Sequence, residues 1–304
     1  MPKHVSDYLV YLLVRLVVCA LQILSPRGCE QFAKGTAWLC YDVFGLRKKV
    51  IEENLRASFP DYTDEQIQST GRGMWKHLFL LAAEIAQAGR KVHDTNWLDY
   101  ITVKRKPDLV EQLLSDRPTV ILSGHFGNFE LAGYILSLFG FDTYTVARTL
   151  DNPYLDKYLN NFRSAKGQHI LPKMGSAAMI DQLLANGDLL TVLGDQHAGQ
   201  KGCWVNFFGR PASTNKGPAV FALTNQAPIV VCVDRRLDKF LLHEVRIVNV
   251  LDPAILPEEQ QTIPFVTQWF TDQLESGIRR APEQYWWVHR RWKGTPPVKK
   301  TSAS

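Results

Sequence analysis

What the sequence lacks narrows its chemistry first. The five cysteines, Cys19, Cys29, Cys40, Cys203 and Cys232, form no CxxC pair and show no regular spacing. A zinc ribbon, redox motif or disulfide framework therefore has no support, and a reducing compartment fits. No GxSxG, Walker A loop, GxGxxG or HExxH is present, which removes serine-hydrolase, nucleotide-binding and zincin readings. Charge of one sign is scarce too. The formal net charge is +5 over 304 residues, too small a bias to imply nucleic acid. No repeat, low-complexity tract or linker divides the chain, so one folded domain with a helical lead-in is expected. At 45% hydrophobic and 21% charged, it has the composition of an ordinary folded protein with a substantial core.

Long apolar runs are also few, and the one at Tyr8 to Leu24, YLVYLLVRLVVCALQIL, stands out. Its 17 residues sit at the lower limit for crossing a bilayer, about 17 to 25. Tyr8, Tyr11, Arg15, Cys19 and Gln22 recur at helical spacing and form one more polar stripe. One side can dock on protein while the other meets lipid. A cleaved signal would need a small-x-small site, and Ser25-Pro26-Arg27-Gly28-Cys29 follows instead, so residues 1–27 are expected to be an uncleaved anchor, spanning or interfacial. Basic residues cluster at Arg47-Lys48-Lys49, Lys104-Arg105-Lys106 and His289-Arg290-Arg291. Such clusters suit anionic headgroups or an acidic protein, and equally plain solvated surface.

Beyond the anchor the pattern is helical: Phe32 to Val43, Arg47 to Ala57, and a long segment opened by Thr63 with Gln66 three residues on, a capping-box pattern. Met74, Trp75, Leu78, Phe79, Ala82 and Ile85 recur along it at 3.6-type spacing. From Pro118 short apolar runs predict strands at Thr119 to Leu122, Thr143 to Ala147, His169 to Leu171, Leu189 to Leu193, Ile229 to Val233 and Leu241 to Val250. Helix-like stretches at Phe129 to Phe139, Leu155 to Lys166, Ala177 to Ala185 and Gly217 to Asn225 alternate with them. That alternation predicts an α/β domain, a layered sheet flanked by helices, over residues 28–293. Residues 294–304 read as a flexible tail.

Ser123-Gly124-His125-Phe126-Gly127-Asn128-Phe129-Glu130 lies between a strand and an apolar helix. In open α/β sheets the carboxyl end of a strand faces the ligand crevice. On a regular helix His125 and Glu130 would lie roughly 140° apart, so they can meet only if His125 sits in the turn before the helix, which Gly124 and Gly127 permit. Glu130 would then accept the spare imidazole N–H, leaving the other nitrogen to take a proton from an alcohol. One His five residues before one Glu is by itself a weak signal, since a satisfied structural histidine is the commoner case. Asp195 with His197 supplies only two metal ligands, which do not make a site.

The chain also carries Gly194-Asp195-Gln196, Phe207-Phe208-Gly209-Arg210-Pro211-Ala212-Ser213-Thr214, and Pro282-Glu283-Gln284-Tyr285-Trp286-Trp287-Val288-His289-Arg290-Arg291-Trp292-Lys293, with a helical lead-in Asn54-Leu55-Arg56-Ala57-Ser58-Phe59-Pro60. In this order and spacing, from the anchor to about Lys293, the sequence resembles the bacterial lipid A biosynthesis acyltransferases, the lauroyl and myristoyl transferases. The resemblance implies an HxxxxE O-acyltransferase with a glycerolipid-acyltransferase-like α/β fold, at the bacterial inner membrane with its site on the cytoplasmic side. It implies acyl carrier protein as partner and donor, coenzyme A thioester as the alternative, a lipid A precursor as acceptor, and no cofactor. Carried over, His125 is similar to the family's general base and Glu130 to its partner. Arg163 is similar in position to an arginine the family needs, and Asp195 matches the aspartate of its DQ motif. Gln196-His197 stands where many members have DQD or DQN, which leaves the acceptor open.

Direct transfer follows from that resemblance, with Arg163, and secondarily Arg148, as charge-stabilising or substrate-clamping candidates. Asp195 is expected to orient that arginine or to cap a turn, and Asn128 to touch substrate. Phe207-Phe208 and Trp286-Trp287 are either acyl-channel walls or plain core. Two rival functions share these residues: transfer to another envelope lipid, a lysophospholipid or glycolipid, and a catalytically silent membrane module.

Overall fold

In the computed structural model, residues 3–297 are described except Lys166 and Met174, with Leu138 described by its backbone alone. The helical lead-in comprises α1 (Lys3–Ile23), α2 (Pro26–Trp38), one π-helical turn (Leu39–Val43), α3 (Lys48–Ser58) and α4 (Asp64–Lys91). The second helix starts earlier than its apolar pattern predicted. Ser25 accepts from the Gly28 N–H and Pro26 occupies the first turn, so the Ser-Pro that ends the apolar run also opens the next helix. Thr63 and Gln66 close the expected capping box on α4.

α1 is long and apolar enough to cross a membrane by length and composition, and among its residues only Leu21 is buried. Its polar stripe does dock on protein. Tyr8 and Tyr11 pack on Tyr154, the Arg15 guanidinium lies 4.8 Å from the Tyr158 ring centre, and Gln22 Nε2 donates to the Ala86 carbonyl at 2.8 Å. Cys19 stays exposed, while Leu13 and Leu16, 62% and 68% exposed, mark the unpartnered side.

The α/β part runs β1 (Ile101–Lys104), α5 (Lys106–Leu113), β2 (Thr119–Ser123), α6 (Phe129–Leu138), β3 (Thr143–Ala147), α7 (Pro153–Ser164), β4 (Gln168–Pro172), α8 (Ala177–Ala185), β5 (Leu189–Leu193), β6 (Cys203–Phe207), β7 (Arg210–Thr214), α9 (Gly217–Thr224), β8 (Ile229–Arg236), β9 (His243–Leu251) and α10 (Ile263–Ile278). Seven strands form a sheet in the order β1-β9-β8-β2-β5-β3-β4, with β6-β7 a separate hairpin. Among the described residues, only β8 and β9 pair antiparallel within the large sheet. The fold is therefore the expected α/β layered sheet flanked by helices.

Central strands read as continuous apolar runs because both faces are covered. On β2, Val120 and Leu122 pack into the cluster that includes Ile180 of α8, Ala219 of α9 and Phe270 of α10. Ile121 between them points to the opposite side, with Leu109 of α5 and Leu136 of α6. Side chains that alternate along a strand thus serve two layers at once. Burial also settles the aromatic runs. Phe207, Phe208 and Trp287 are core, each under 5% exposed, and interlock edge to face; Trp286 alone of the four is partly open.

Candidate active site

The sheet register builds the site. β2 and β5 are parallel neighbours with Ser123 opposite Leu193, and each strand continues into a glycine, Gly124 and Gly194. The Gly194 N–H still donates to the Ser123 carbonyl at 2.9 Å. His125 and Asp195, each two residues past its strand, therefore leave the sheet at the same level, side by side. A Cβ on Gly124 would lie 3.2 Å from Asp195 Cγ, so only glycine lets the two loops approach without displacement.

Asp195 holds His125 at two points. Its Oδ1 faces Nδ1 of the imidazole at 2.8 Å, and its Oδ2 accepts the His125 backbone N–H at 3.0 Å. A carboxylate at Nδ1 fixes the tautomer with the proton on that nitrogen and the lone pair on Nε2. Gln196 Nε2 stands 3.2 Å from that lone pair and can donate to it. Burial opposes the charged form of Asp195, yet the charge and hydrogen bonds of His125 outweigh it and hold the carboxyl below its ordinary range. The Phe129 and Trp286 rings lie 5.0 and 4.9 Å from the imidazole. The loop beneath is stitched to the C-terminal segment, Trp286 N–H donating to the His125 carbonyl at 3.1 Å and Gly127 N–H to the Gln284 carbonyl at 3.0 Å.

Glu130 is not the orienter of His125. Its carboxylate is gripped by Arg163 of α7, Nε to Oε2 at 2.8 Å and Nη2 to Oε1 at 2.5 Å, with side chains 13% and 15% exposed. A planar guanidinium matches both carboxylate oxygens at once. The sequence reading is thus corrected by an exchange of partners: the aspartate expected to orient the arginine orients the histidine, and the glutamate expected on the histidine orients the arginine.

Asn128 is corrected as well. It is 0% exposed, its Oδ1 caps α6 by accepting from the Leu131 N–H at 3.1 Å, and its Nδ2 donates to Glu84 at 3.0 Å. No polar atom of its side chain is left for substrate. Arg148 is three-quarters exposed and pairs with Asp151 at 3.1 Å. It lines a small cavity of about 150 Å³ with Asn160, whose Oδ1 lies 3.4 Å from Arg163 Nη1, so it borders the Arg163 side and is not brought to His125. The basic run His289-Arg290-Arg291 is no surface patch. Arg291 is 2% exposed and donates to the Ser213 carbonyl at 2.6 Å. His289 takes the His197 N–H at 3.1 Å, and its burial pushes its pKa down to about 4.

Residues that pattern reading missed include Tyr285, 3% exposed, whose hydroxyl is pushed well above its ordinary range by burial and by the nearby Asp195 charge. A second group, His77, Glu84, Asp234, Arg236 and His243, is buried behind the turn. Its signal was available: His77 and Glu84 lie seven apart on one face of an apolar helix, and Asp234 and Arg236 two apart on one face of an apolar strand.

Fold and comparisons together define an O-acyltransferase. More narrowly, the family model described as bacterial lipid A biosynthesis acyltransferase matches residues 2–294, and the chain belongs to that family. The lipid A biosynthesis palmitoleoyltransferase of Escherichia coli K12 is 24% identical over 266 residues, 84% of this chain and 81% of that protein. The lipid A biosynthesis lauroyltransferase of the same organism is 25% identical over 311 residues, 96% of this chain and 94% of that protein. Among solved structures, the 1-acyl-sn-glycerophosphate acyltransferase PlsC from Thermotoga maritima aligns over 89% of this chain and 100% of that one, at a TM-score of 0.40 and 12% identity, a likeness too distant to add to the assignment. The class of reaction is acyl transfer in lipid A biosynthesis.

Proposed function

We propose that the chain moves a fatty acyl group from an acyl carrier protein thioester to a hydroxyl of a lipid A precursor, with His125 as general base, Asp195 as its orienter and the Glu130–Arg163 pair beside the reacting groups. One observation carries this reading: Asp195 holds both the imidazole Nδ1 and the backbone N–H of His125, leaving Nε2 as the only nitrogen that can accept a proton. The acceptor hydroxyl displaces the Gln196 amide and gives its proton to Nε2. Its oxygen attacks the thioester carbonyl carbon. When the tetrahedral intermediate collapses, the C–S bond breaks and the imidazolium returns the proton to the departing thiolate. Charge developing on the carbonyl oxygen needs donors aimed at it. Arg163, locked by Glu130, is the candidate; a fixed guanidinium has little reorganisation to undergo when that charge appears.

The unpartnered side of α1 supports a position at the inner membrane, and a second exposed apolar group, Trp38, Leu39, Val43, Phe44 and Leu46, precedes Arg47 and Lys49. Apolar and aromatic side chains beside cations suit an anionic headgroup layer. We propose the cytoplasmic side for the site, as the family resemblance implies. The test is acyl transfer from an acyl-carrier thioester to a Kdo-bearing lipid A precursor by the wild type, His125→Ala and Asp195→Asn. Removal of a general base should cost about 10² to 10⁴-fold; a His125→Ala variant that turns over like the wild type would discard the mechanism.

A further inference from the structure

Behind the His125 turn lies a buried ionic cluster that the mechanism above does not use. Arg236 of β8 reaches Glu84 of α4 through Nε at 2.5 Å and Nη2 at 2.6 Å. His243 of β9 faces Asp234 through Nδ1 at 2.8 Å, and its Nε2 lies 3.3 Å from Glu84 Oε1. His77 of α4 meets Arg236 Nη1 with its Nδ1 at 2.7 Å. All five side chains are buried, none above 7% exposed. Two carboxylates are matched by a guanidinium and by an imidazole whose pKa the two carboxylates raise to about 9 despite its burial.

Ion clusters of this kind rarely add stability over a well-packed apolar core, because desolvation offsets the attraction; they are better explained by what they hold in place. This one holds the turn. The Asn128 N–H donates to Asp234 Oδ2 at 2.7 Å, Asn128 Nδ2 donates to Glu84 Oε2 at 3.0 Å, and the Gly127 carbonyl lies 3.1 Å from His77 Nε2. The protonation of His77 follows from its neighbours. A guanidinium can only donate, so Nδ1 must accept, the ring is neutral, and the remaining N–H on Nε2 points at the Gly127 carbonyl. Burial and the Arg236 charge both hold the pKa of His77 well below its ordinary value. Gly127 pays for this closeness with a positive φ of 59°, and a Cβ there would lie 1.8 Å from the Asp234 carbonyl oxygen.

We propose that His77, Glu84, Asp234, Arg236 and His243 form a positioning platform that sets the height of the His125 imidazole by gripping Gly127 and Asn128, the second and third residues after it in the turn. The proposal rests on the reading of His125 as the base. His77 is the piece most open to test, because its two bonds can be removed or kept. In His77→Leu both are lost. In His77→Gln the amide offers one acceptor for Arg236 and one donor for Gly127, as the neutral imidazole does. Asn128→Ser is a second, milder cut, since serine keeps the helix cap and loses only the reach to Glu84.

The full chain in detergent micelles is assayed for kcat and KM with an acyl-carrier thioester and a Kdo-bearing lipid A precursor, and amide hydrogen exchange is followed at Gly127 and Asn128. A misplacement of the order of 1 Å can cost up to about 10²-fold. Expected are a kcat loss of about tenfold or more in folded His77→Leu with KM within about twofold, recovery to within about threefold of wild type in His77→Gln, and faster exchange at Asn128 in the leucine variant alone. Should His77→Leu not fold, Asn128→Ser is expected to lower kcat about threefold or more at unchanged KM. Wild-type kcat in folded His77→Leu, or in Asn128→Ser where it takes that variant's place, overturns the platform, as do equal losses in the glutamine and leucine variants. If the wild type itself shows no transfer, the functional reading falls and the exchange data alone judge the platform, unchanged protection in the variants overturning it.

Discussion

Arg163 closes on Glu130 with two parallel hydrogen bonds, so the acidic end of the HxxxxE segment is committed to α7 rather than to the histidine five residues earlier. The pair is four-fifths or more buried on both sides. Breaking one partner leaves the other charge poorly solvated, at a cost of several kcal/mol in deeply buried cases. Glu130→Gln and Arg163→Lys are each expected to lower unfolding free energy by about 1–3 kcal/mol, with a coupling energy of at least about 0.5 kcal/mol in a double-mutant cycle read by denaturant unfolding. Additive effects would show that the two side chains do not act as a unit.

The order of catalytic losses separates the orienters. Asp195→Asn is expected to lower kcat by at least about 10²-fold with little change in KM, because the amide no longer fixes the imidazole tautomer. Asp195→Glu, one methylene longer, should also stay well below wild type, since it cannot satisfy Nδ1 and the backbone N–H together. Single-turnover kinetics on both variants check this.

Gly127→Ala meets a backbone oxygen at a distance no real Cβ shows. It is expected to destabilise by at least about 3 kcal/mol or to fail to fold. Gly140 also has a positive φ, 84°, with nothing within 4 Å of an added Cβ. Gly140→Ala should therefore cost only about 1–2 kcal/mol of backbone strain. Thermal unfolding of the two side by side measures the difference between strain alone and strain with collision.

Stability should fall on both sides of neutrality. His243, faced by Asp234 and Glu84, has its folded pKa raised to about 9, so its contribution is complete below the unfolded value of about 6.5 and is lost as pH rises through 9. His289 is the reverse case. Its folded pKa is depressed to about 4, so the unfolded chain binds the proton more readily and stability declines as pH drops from about 6.5 toward 4. Midpoints of chemical unfolding between pH 4 and 10 should trace this dome. His243→Gln should flatten the alkaline limb and His289→Gln the acid one; unchanged limbs would remove these histidines as the cause.

Much of this architecture was legible because it rests on periodicity. Thr143–Ala147, Leu189–Leu193 and Ala177–Ala185 fall where their apolar runs place them, and the capping box at Thr63 is local chemistry. The partner of His125 was hidden for a different reason. Leu122-Ser123-Gly124-His125 and Val192-Leu193-Gly194-Asp195 are parallel strings, but they meet only because β5 inserts beside β2 after two further strands have been laid down elsewhere. Strand order is a property of the whole sheet, and a short spacing such as His125 to Glu130 looks like a contact until that order is known. β1 and the β6-β7 hairpin escaped because they are short runs with little period of their own, whereas α10 carries a legible one, Val266, Phe270, Leu274 and Ile278 recurring every four residues on its buried face.

The aromatic clasp between α1 and α7 joins two jobs usually kept apart. Tyr154 and Tyr158, on which the greasy helix leans, sit within three turns of Arg163 on the same rigid rod. With α1 in lipid as proposed, the depth at which the protein rides would be linked to where its guanidinium stands. Loosening the clasp, as in Tyr154→Ala, would let the two drift independently.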